Sequence, residues 1–419
     1  MSTPQRAGPA PRPARQRVAA VDVVRGLLLV AIVLSGSLLE PPAWFDHAPW
    51  TGVHPLDLLF PSFVLLMGVG LGFASAGGVH LARLPRRVLV LLAAGLAYNA
   101  AVQWARAGGV ELDQLRWTGV LQLFALLALV ITVVHLVVRG WVAWTAVALA
   151  FAAGHTVLVA GWAAGCPGGE VTPECNPSLG IDPAVVPAQH LYWQMAAGHD
   201  PEGLVALLGA CATTAAGVAA AHALRGRGGS SGTVPAAGRL VVVAAVLAGG
   251  ALVASLWVPA AKRLWTAPFG LSVAAGAIAL VAAVHLLVDA PWVERRPVRG
   301  PALPATRAGG PRHRAGRSRP GAPAVAVAAA AAVLRALREP FVALGRNSLL
   351  VYVGSEVLAA VLLLRPLRPD PAAEPSHAQA LAEHLAWLGG PQVGLSAALL
   401  AGWWALALLL HRRRWYLRA

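Results

Sequence analysis

Charge is what this sequence has least of. Only 12% of its 419 residues are Asp, Glu, Lys or Arg, where a soluble globular domain carries roughly a quarter. That shortage excludes a water-soluble fold of this length. Cysteine is scarce as well, and three residues exclude a disulfide scaffold. Cys211 lies in an apolar block and reads as packing. Cys166 and Cys175 share one polar loop and can pair if that loop faces an oxidising compartment. No glycine-rich phosphate loop follows a strand, no serine sits in a nucleophile elbow, and no metal-ligand spacing occurs. A removable signal peptide is not expected either. Residues 1–17 are rich in Pro and Arg, have no apolar core before Val18, and lead into a full-length apolar helix without a small-residue cleavage site.

What is present is apolar sequence: 57% of the chain is hydrophobic, gathered in blocks of about 20 residues, the length that crosses a hydrocarbon core as a helix. The blocks fall near 20–38, 56–76, 85–104, 118–138, 141–162, 203–224, 238–258, 268–288, 343–364 and 393–411. The expected fold class is therefore all-α, a polytopic transmembrane helix bundle of about ten spans. The Ala-rich run from Pro323 to Leu337 ends in Arg335, Arg338 and Glu339 and reads as a cytoplasmic or interfacial helix. Charge supports that choice. With ten spans and both termini cytoplasmic, the inner segments carry 25 basic residues and the outer loops six, as the positive-inside rule requires. Counting the Pro323 run as a span would move the basic C-terminal tail outside. The net charge of +15 is thus a matter of topology, and no nucleic-acid partner is expected.

The chain divides into a basic cytoplasmic tail (1–17), a core with spans one to eight (18–290) carrying an outer loop (163–202), a cytoplasmic linker with the Ala-rich helix (291–341), and spans nine and ten with a basic tail (342–419). The Pro/Gly/Arg-rich stretch from Glu294 to Pro323 has the composition of a disordered linker. The long outer loop is a functional candidate by its length alone.

Polar side chains at membrane depth are expensive and each needs a reason. Asp22 and Arg25 stand three apart at the start of the first span, on one helix face, where they can pair; Arg25 can also help hold an anionic cofactor. The segment Asp46–Gly70, DHAPWTGVHPLDLLFPSFVLLMGVG, sets His47, His54, Asp57 and Trp50 against the mouth of the second span. Asp57 suits a helix start, where a carboxylate meets the positive dipole end. The histidines are suited to proton transfer near neutral pH, although a loop histidine is more often a solvated surface residue. Two further polar groups, Arg116 to Gln122 and His190–Tyr192 with Asp200–Gly203, precede the fourth and sixth spans. Arg17, Arg86, Arg87 and Arg418 can bind phosphate, but positive-inside topology already accounts for them.

At these residues the chain resembles the heparan-α-glucosaminide N-acetyltransferase family. The resemblance rests on DVVRG (22–26), HAPWTG…DLLFPSF (47–63), LRWTGVLQ (115–122), HLY (190–192), DPEG (200–203), KRLWT (262–266) and GRNSLLVYVGSEVL (345–358). It covers the transmembrane core and not the family's large lumenal N-terminal region. What it implies is a multi-pass cell-membrane enzyme, in a bacterial plasma membrane, that passes an acetyl group from cytoplasmic acetyl-CoA to an amino-sugar or glycan acceptor outside. His47 matches the family's catalytic histidine. Ser35 stands at or near the position of an asparagine that assists at the acetyl site, and Thr51 replaces another asparagine. Asp57 or Asp46 would orient the imidazole. Arg17, Arg25 and Arg418 are the candidates for the acetyl-CoA phosphates, and a homodimer is compatible with the family. Two routes stay open: His47 deprotonates the acceptor for direct attack, or is itself acetylated. The competing expectation is a transporter or flippase, against which the lack of an internal repeat counts.

Overall fold

A computed structural model describes residues 18–75, 77–79, 81–226, 232–294, 322–365 and 375–417. Arg17, Arg418 and nearly all of the stretch between Glu294 and Pro323 lie outside them. Among the described residues the chain is all-helical, with two isolated bridges, Gly52 to Ala261 and Thr172 to Cys175, and no strand. Seven helices are long and apolar enough to cross a membrane, or eight counting one bent pair. Their outer faces turn Leu89, Val142, Val157 and Leu252 to the surroundings, a surface that suits lipid and not water. This is a membrane protein.

The helices are α1 (Ala19–Ser35), α2 (Leu59–Ala74, preceded by a 3₁₀ turn at Pro55–Leu58), α3 (Leu84–Ala107), α4 (Val120–Val134) and α5 (Trp141–Ala163). After α6 (Pro177–Val185) in the long loop come α7 (Leu204–Arg225), α8 (Thr233–Ala254), α9 (Ala267–Val288) and the short α10 (Pro291–Glu294). The chain ends with α11 (Ala322–Arg346), α12 (Ser348–Leu364), α13 (His377–His384) and α14 (Pro391–Arg412). The apolar block at 343–364 is not one straight helix. The Ala-rich helix runs on through Pro340 to Arg346, and α12 starts after a bend of 73° at Asn347. Proline lacks the amide that would complete the turn, yet α11 continues past it; the break comes where Asn347 donates its side-chain amide back to Ala343 O at 3.0 Å.

α7 is the axle. Seventeen of its residues are buried, almost all Ala, Gly, Thr or Val, so neighbouring backbones come close, as small residues allow in lipid. At the crossing with α2, a Cβ on Gly68 would stand 2.1 Å from Thr214 O, and one on Gly217 would stand 2.0 Å from Leu65 O. A second crossing joins α1 to α11, where a Cβ on Gly345 would stand 1.9 Å from Asp22 O. Gly217→Leu should therefore force the two central helices apart at a cost upward of about 3 kcal/mol. A lowered thermal midpoint of the detergent-purified protein is the check; an unchanged midpoint would show that the crossing is loose.

The loop between α5 and α7 is a compact cap. Cys166 and Cys175 form a disulfide, which answers the question the sequence left open. Asn176 caps α6 by accepting Ser178 N at 3.0 Å. Asp182 accepts the Ser178 hydroxyl and the first amides of α7, Leu204 N at 2.8 Å and Val205 N at 3.2 Å. Burial raises the Asp182 pKa, against the pull of those donors. Cys211 packs inside α7, as its apolar context suggests.

Candidate functional site

The residues from Asp46 to Asp57 fold into a loop that crosses one end of the bundle. Asp57 is fully buried and satisfies several donors at once. Its Oδ2 accepts His54 N at 2.9 Å and Ala48 N at 3.1 Å, which fixes the start of the helix. Its Oδ1 lies 2.7 Å from His47 Nδ1 and 3.3 Å from Lys262 Nζ. Capping and orientation of the imidazole are therefore both served by one carboxylate. Asp46 takes no part in holding the His47 ring: its side chain accepts His47 N at 2.6 Å, and its carbonyl meets His54 Nδ1 at 2.7 Å. His54 is thus a brace of the loop.

Lys262 completes a triad. Its Nζ stands 2.7 Å from His47 Nδ1 and 3.1 Å from Nε2, against the edge of the ring. The loop between α8 and α9 carries it there, held by Gly52 N donating to Ala260 O at 2.8 Å. Burial lowers the Lys262 pKa, while Asp57 pulls it the other way. With Nδ1 turned to Asp57, a buried carboxylate orients the imidazole, while Nε2 lies 3.1 Å from Lys262 Nζ.

His47 and Lys262 line one end of a single cavity of about 630 Å³. Asp22, Arg25, Arg87 and Arg346 line it at the other end. On α1 its wall extends from Asp22 to Gly36, about 21 Å at the rise of an α-helix. Between the ends the wall is apolar and aromatic, with Phe60, Phe63, Phe124 and Tyr352. Pairing of Asp22 with Arg25, expected from their spacing, is present at 3.8 Å, and Asp22 also meets Arg346 Nε at 3.2 Å. Arg25 donates to Leu66 O at 3.2 Å. Arg87 Nε is buried without a hydrogen-bond partner among the described residues. Three guanidiniums gathered at one end of a cavity form the kind of setting in which arginine binds phosphate.

Ser35 is placed on the cavity wall, but its hydroxyl donates to Ile32 O at 2.9 Å in its own helix. No hydrogen bond joins it to His47, whose ring partners are Asp57 and Lys262. Arg25 is the one phosphate candidate among Arg17, Arg25 and Arg418 that the described residues include, and it does line the cavity. Arg87 and Arg346 belong to the same end; Arg87 was accounted for by topology, and Arg346 lay hidden inside an apolar block.

The remaining polar motifs meet in a buttress beside the His47 end. Arg116 Nη2 reaches Asp200 Oδ1 at 2.7 Å and Glu202 Oε2 at 2.6 Å, and Thr118 Oγ1 donates to Asp200 Oδ2 at 2.5 Å. Burial lowers the Arg116 pKa, but the two carboxylates outweigh it and hold the guanidinium above its ordinary value. Asn99 of α3 donates to both Arg116 O and Thr118 O at 2.8 Å. Trp117 stacks on His190 with ring centres 3.8 Å apart. Glu202 turns its other side to the cavity.

Lys262 was missed in the sequence, and a signal was there. It is the only lysine in a chain with 33 basic residues, so an arginine-rich composition had not claimed that position. No protein-family model matches the chain, and no curated protein matches it.

Proposed function

We propose that the protein is a membrane-bound acyltransferase that moves an acetyl group from cytoplasmic acetyl-CoA to an amino-sugar or glycan acceptor on the outer face. The observation that carries this reading is the one cavity with opposite ends: arginines at one, the His47–Asp57–Lys262 triad at the other. In this reading α1 to α5, α7 to α9, the bent α11–α12 pair and α14 make ten spans, with both termini cytoplasmic. The excess of basic residues on the arginine side supports that orientation, which fits a bacterial plasma membrane.

Arg25, Arg87 and Arg346 would bind the phosphates of acetyl-CoA at the inner mouth. The pantetheine arm is long, thin and weakly polar, and the aromatic middle of the cavity suits it. Its thioester would then lie near His47. In the direct route His47 Nε2 takes a proton from the acceptor amine as the amine attacks the thioester carbonyl, and returns it to the departing thiolate. In the two-step route Nε2 attacks first and carries the acetyl group. Asp57 holds the ring in either case, and the Lys262 ammonium can stabilise negative charge that develops on the carbonyl oxygen.

Acetyl-CoA-selective thermal stabilisation of the purified protein tests the donor, with free CoA and ATP as controls; saturation at 100 times Kd is worth about 2.7 kcal/mol. Arg25→Ala and Arg346→Ala should each weaken acetyl-CoA binding about tenfold or more, the usual worth of a hydrogen bond to a charged group. Unchanged affinity in both would remove the arginine end from the donor site. One observation favours the transporter instead, namely the bend between α11 and α12, since broken helices often surround transported substrates. Solute flux without any dependence on acetyl-CoA would decide for it.

A further inference from the structure

Glu356 is a carboxylate at membrane depth that the triad does not use. It sits in the middle of α12, among apolar residues, and it lines the cavity. Among the described residues it makes no hydrogen bond and no ion pair. A methyl built on Gly36 would stand 4.0 Å from Glu356 Oε1, so the carboxylate faces the end of α1 that is remote from Asp22 and Arg25. An unsatisfied carboxylate in such a place is costly and marks a functional position.

The nearest arginines have partners of their own: Arg116 pairs with Asp200 and Glu202, and Arg106 lies over the Trp193 ring. Tyr352, one turn earlier on α12, and Tyr98 of α3 are within electrostatic reach of Glu356; both tyrosines also feel Glu202 from the loop before α7, and Tyr98 feels Arg106 and Arg116. From α1 only Ser35 and Gly36 line the cavity at this level, while Asp22 and Arg25 belong to the other end. α11 contributes Gly345 and Arg346 at that other end, and α13 and the helical part of α14 contribute no lining residue. The nearest cationic lining groups toward the mouth are Lys262 and His47, and both are already engaged with Asp57. The cavity thus gathers guanidiniums where a phosphate would sit, and at the acceptor end Glu356 is a carboxylate without an ion pair among the described residues, whereas Glu202 is paired with Arg116.

We propose that Glu356 binds the acceptor's ammonium group and takes its first proton. The proposal rests on the acyltransferase reading. An amine that arrives as R–NH₃⁺ has no lone pair for attack. Transfer of one proton to Glu356 gives R–NH₂ and a neutral carboxylic acid. The amine then forms its C–N bond as the C–S bond of the thioester breaks, and the second proton passes through His47 to the thiolate. The products are the amide, CoA as the free thiol, and one proton on Glu356, which leaves to solvent. The two-step route needs the same neutral amine, so the role of Glu356 does not depend on which route His47 follows.

The test compares two acceptors with purified full-length protein and radiolabelled acetyl-CoA. Glucosamine is largely an ammonium near neutral pH, whereas hydroxylamine is a neutral nucleophile there. Glu356→Gln should lower kcat/KM for glucosamine about tenfold or more, leave hydroxylamine turnover near wild type, and recover as pH passes the pKa of the sugar amine. Glu356→Asp should keep the wild-type ratio of the two acceptors. Equal losses for both acceptors at every pH, or no loss for either, would overturn the proposal. If Glu356→Gln does not fold, Glu356→Asp decides, because a changed acceptor ratio in a variant that keeps the carboxylate also overturns it. Absence of any acetyl transfer by the wild-type protein to either acceptor is a different result, which removes the acyltransferase reading itself.

Discussion

His47→Ala should lower acetyl transfer by about 10²–10⁴-fold, the range set by loss of a general acid–base group, and leave the fold intact. The side chain is one-third exposed, and Lys262 pairs with Asp57 independently of it, so little stability depends on it. The measurement is kcat/KM for acetyl-CoA beside the thermal midpoint of the same sample. Asp57→Asn should share much of the kinetic loss, because an amide cannot hold the His47 ring with the same charge. It should also cost stability, since the same carboxylate receives His54 N and Ala48 N. Full activity in His47→Ala would remove the triad from the chemistry altogether.

The largest effect on stability is expected at Arg116. Its guanidinium lies between two carboxylates, Asp200 with no exposed side-chain surface and Glu202 with 11%. Arg116→Ala would leave both facing each other with no cation, and the loss of one partner from a buried ion pair costs about 3–5 kcal/mol. Arg116→Lys should recover only part, since an ammonium cannot bridge two carboxylates as the planar fork does. A fall in thermal midpoint in the order Ala, then Lys, then wild type would confirm it. A wild-type midpoint for Arg116→Ala would mean that Thr118 and the backbone amides alone hold the loop. Acetyl transfer should fall with the fold in this series, unlike in His47→Ala, which separates buttress from chemistry.

Much of this was legible in the residues. Blocks of apolar sequence located the long helices because the span of a bilayer fixes their length and lipid leaves no other way to satisfy the backbone. His47, Asp57, Arg25 and Ser35 were named from one dimension, and all four line or support one cavity. What sequence could not supply was sideways proximity. Lys262 lies 215 positions from His47, and no periodicity connects a loop before α9 with one before α2. Arg346 and Glu356 were hidden inside a block read as one apolar span, whose bend at Asn347 comes from side-chain and tertiary contacts that hydropathy does not register. Ser35 lines the cavity, but a hydroxyl near a helix end has the carbonyl of its own helix within reach, and Ser35 donates to Ile32 O.

If the proposed acetyl transfer takes place, the solitary lysine has a consequence for how the site survives its own donor. A primary amine held beside an activated acetyl group is itself an acceptor, and each mistaken transfer would leave a dead enzyme. Burial favours the neutral, reactive form of Lys262; the carboxylate of Asp57 opposes that shift. Asp57, which aims the histidine, thus also works against the neutral form of its neighbour, while burial outweighs it and leaves the Lys262 pKa lowered. In an otherwise arginine-only chain no other side-chain amine needs such protection, so self-inactivation has a single address, and the acetylation state of Lys262 would record how often the guard fails.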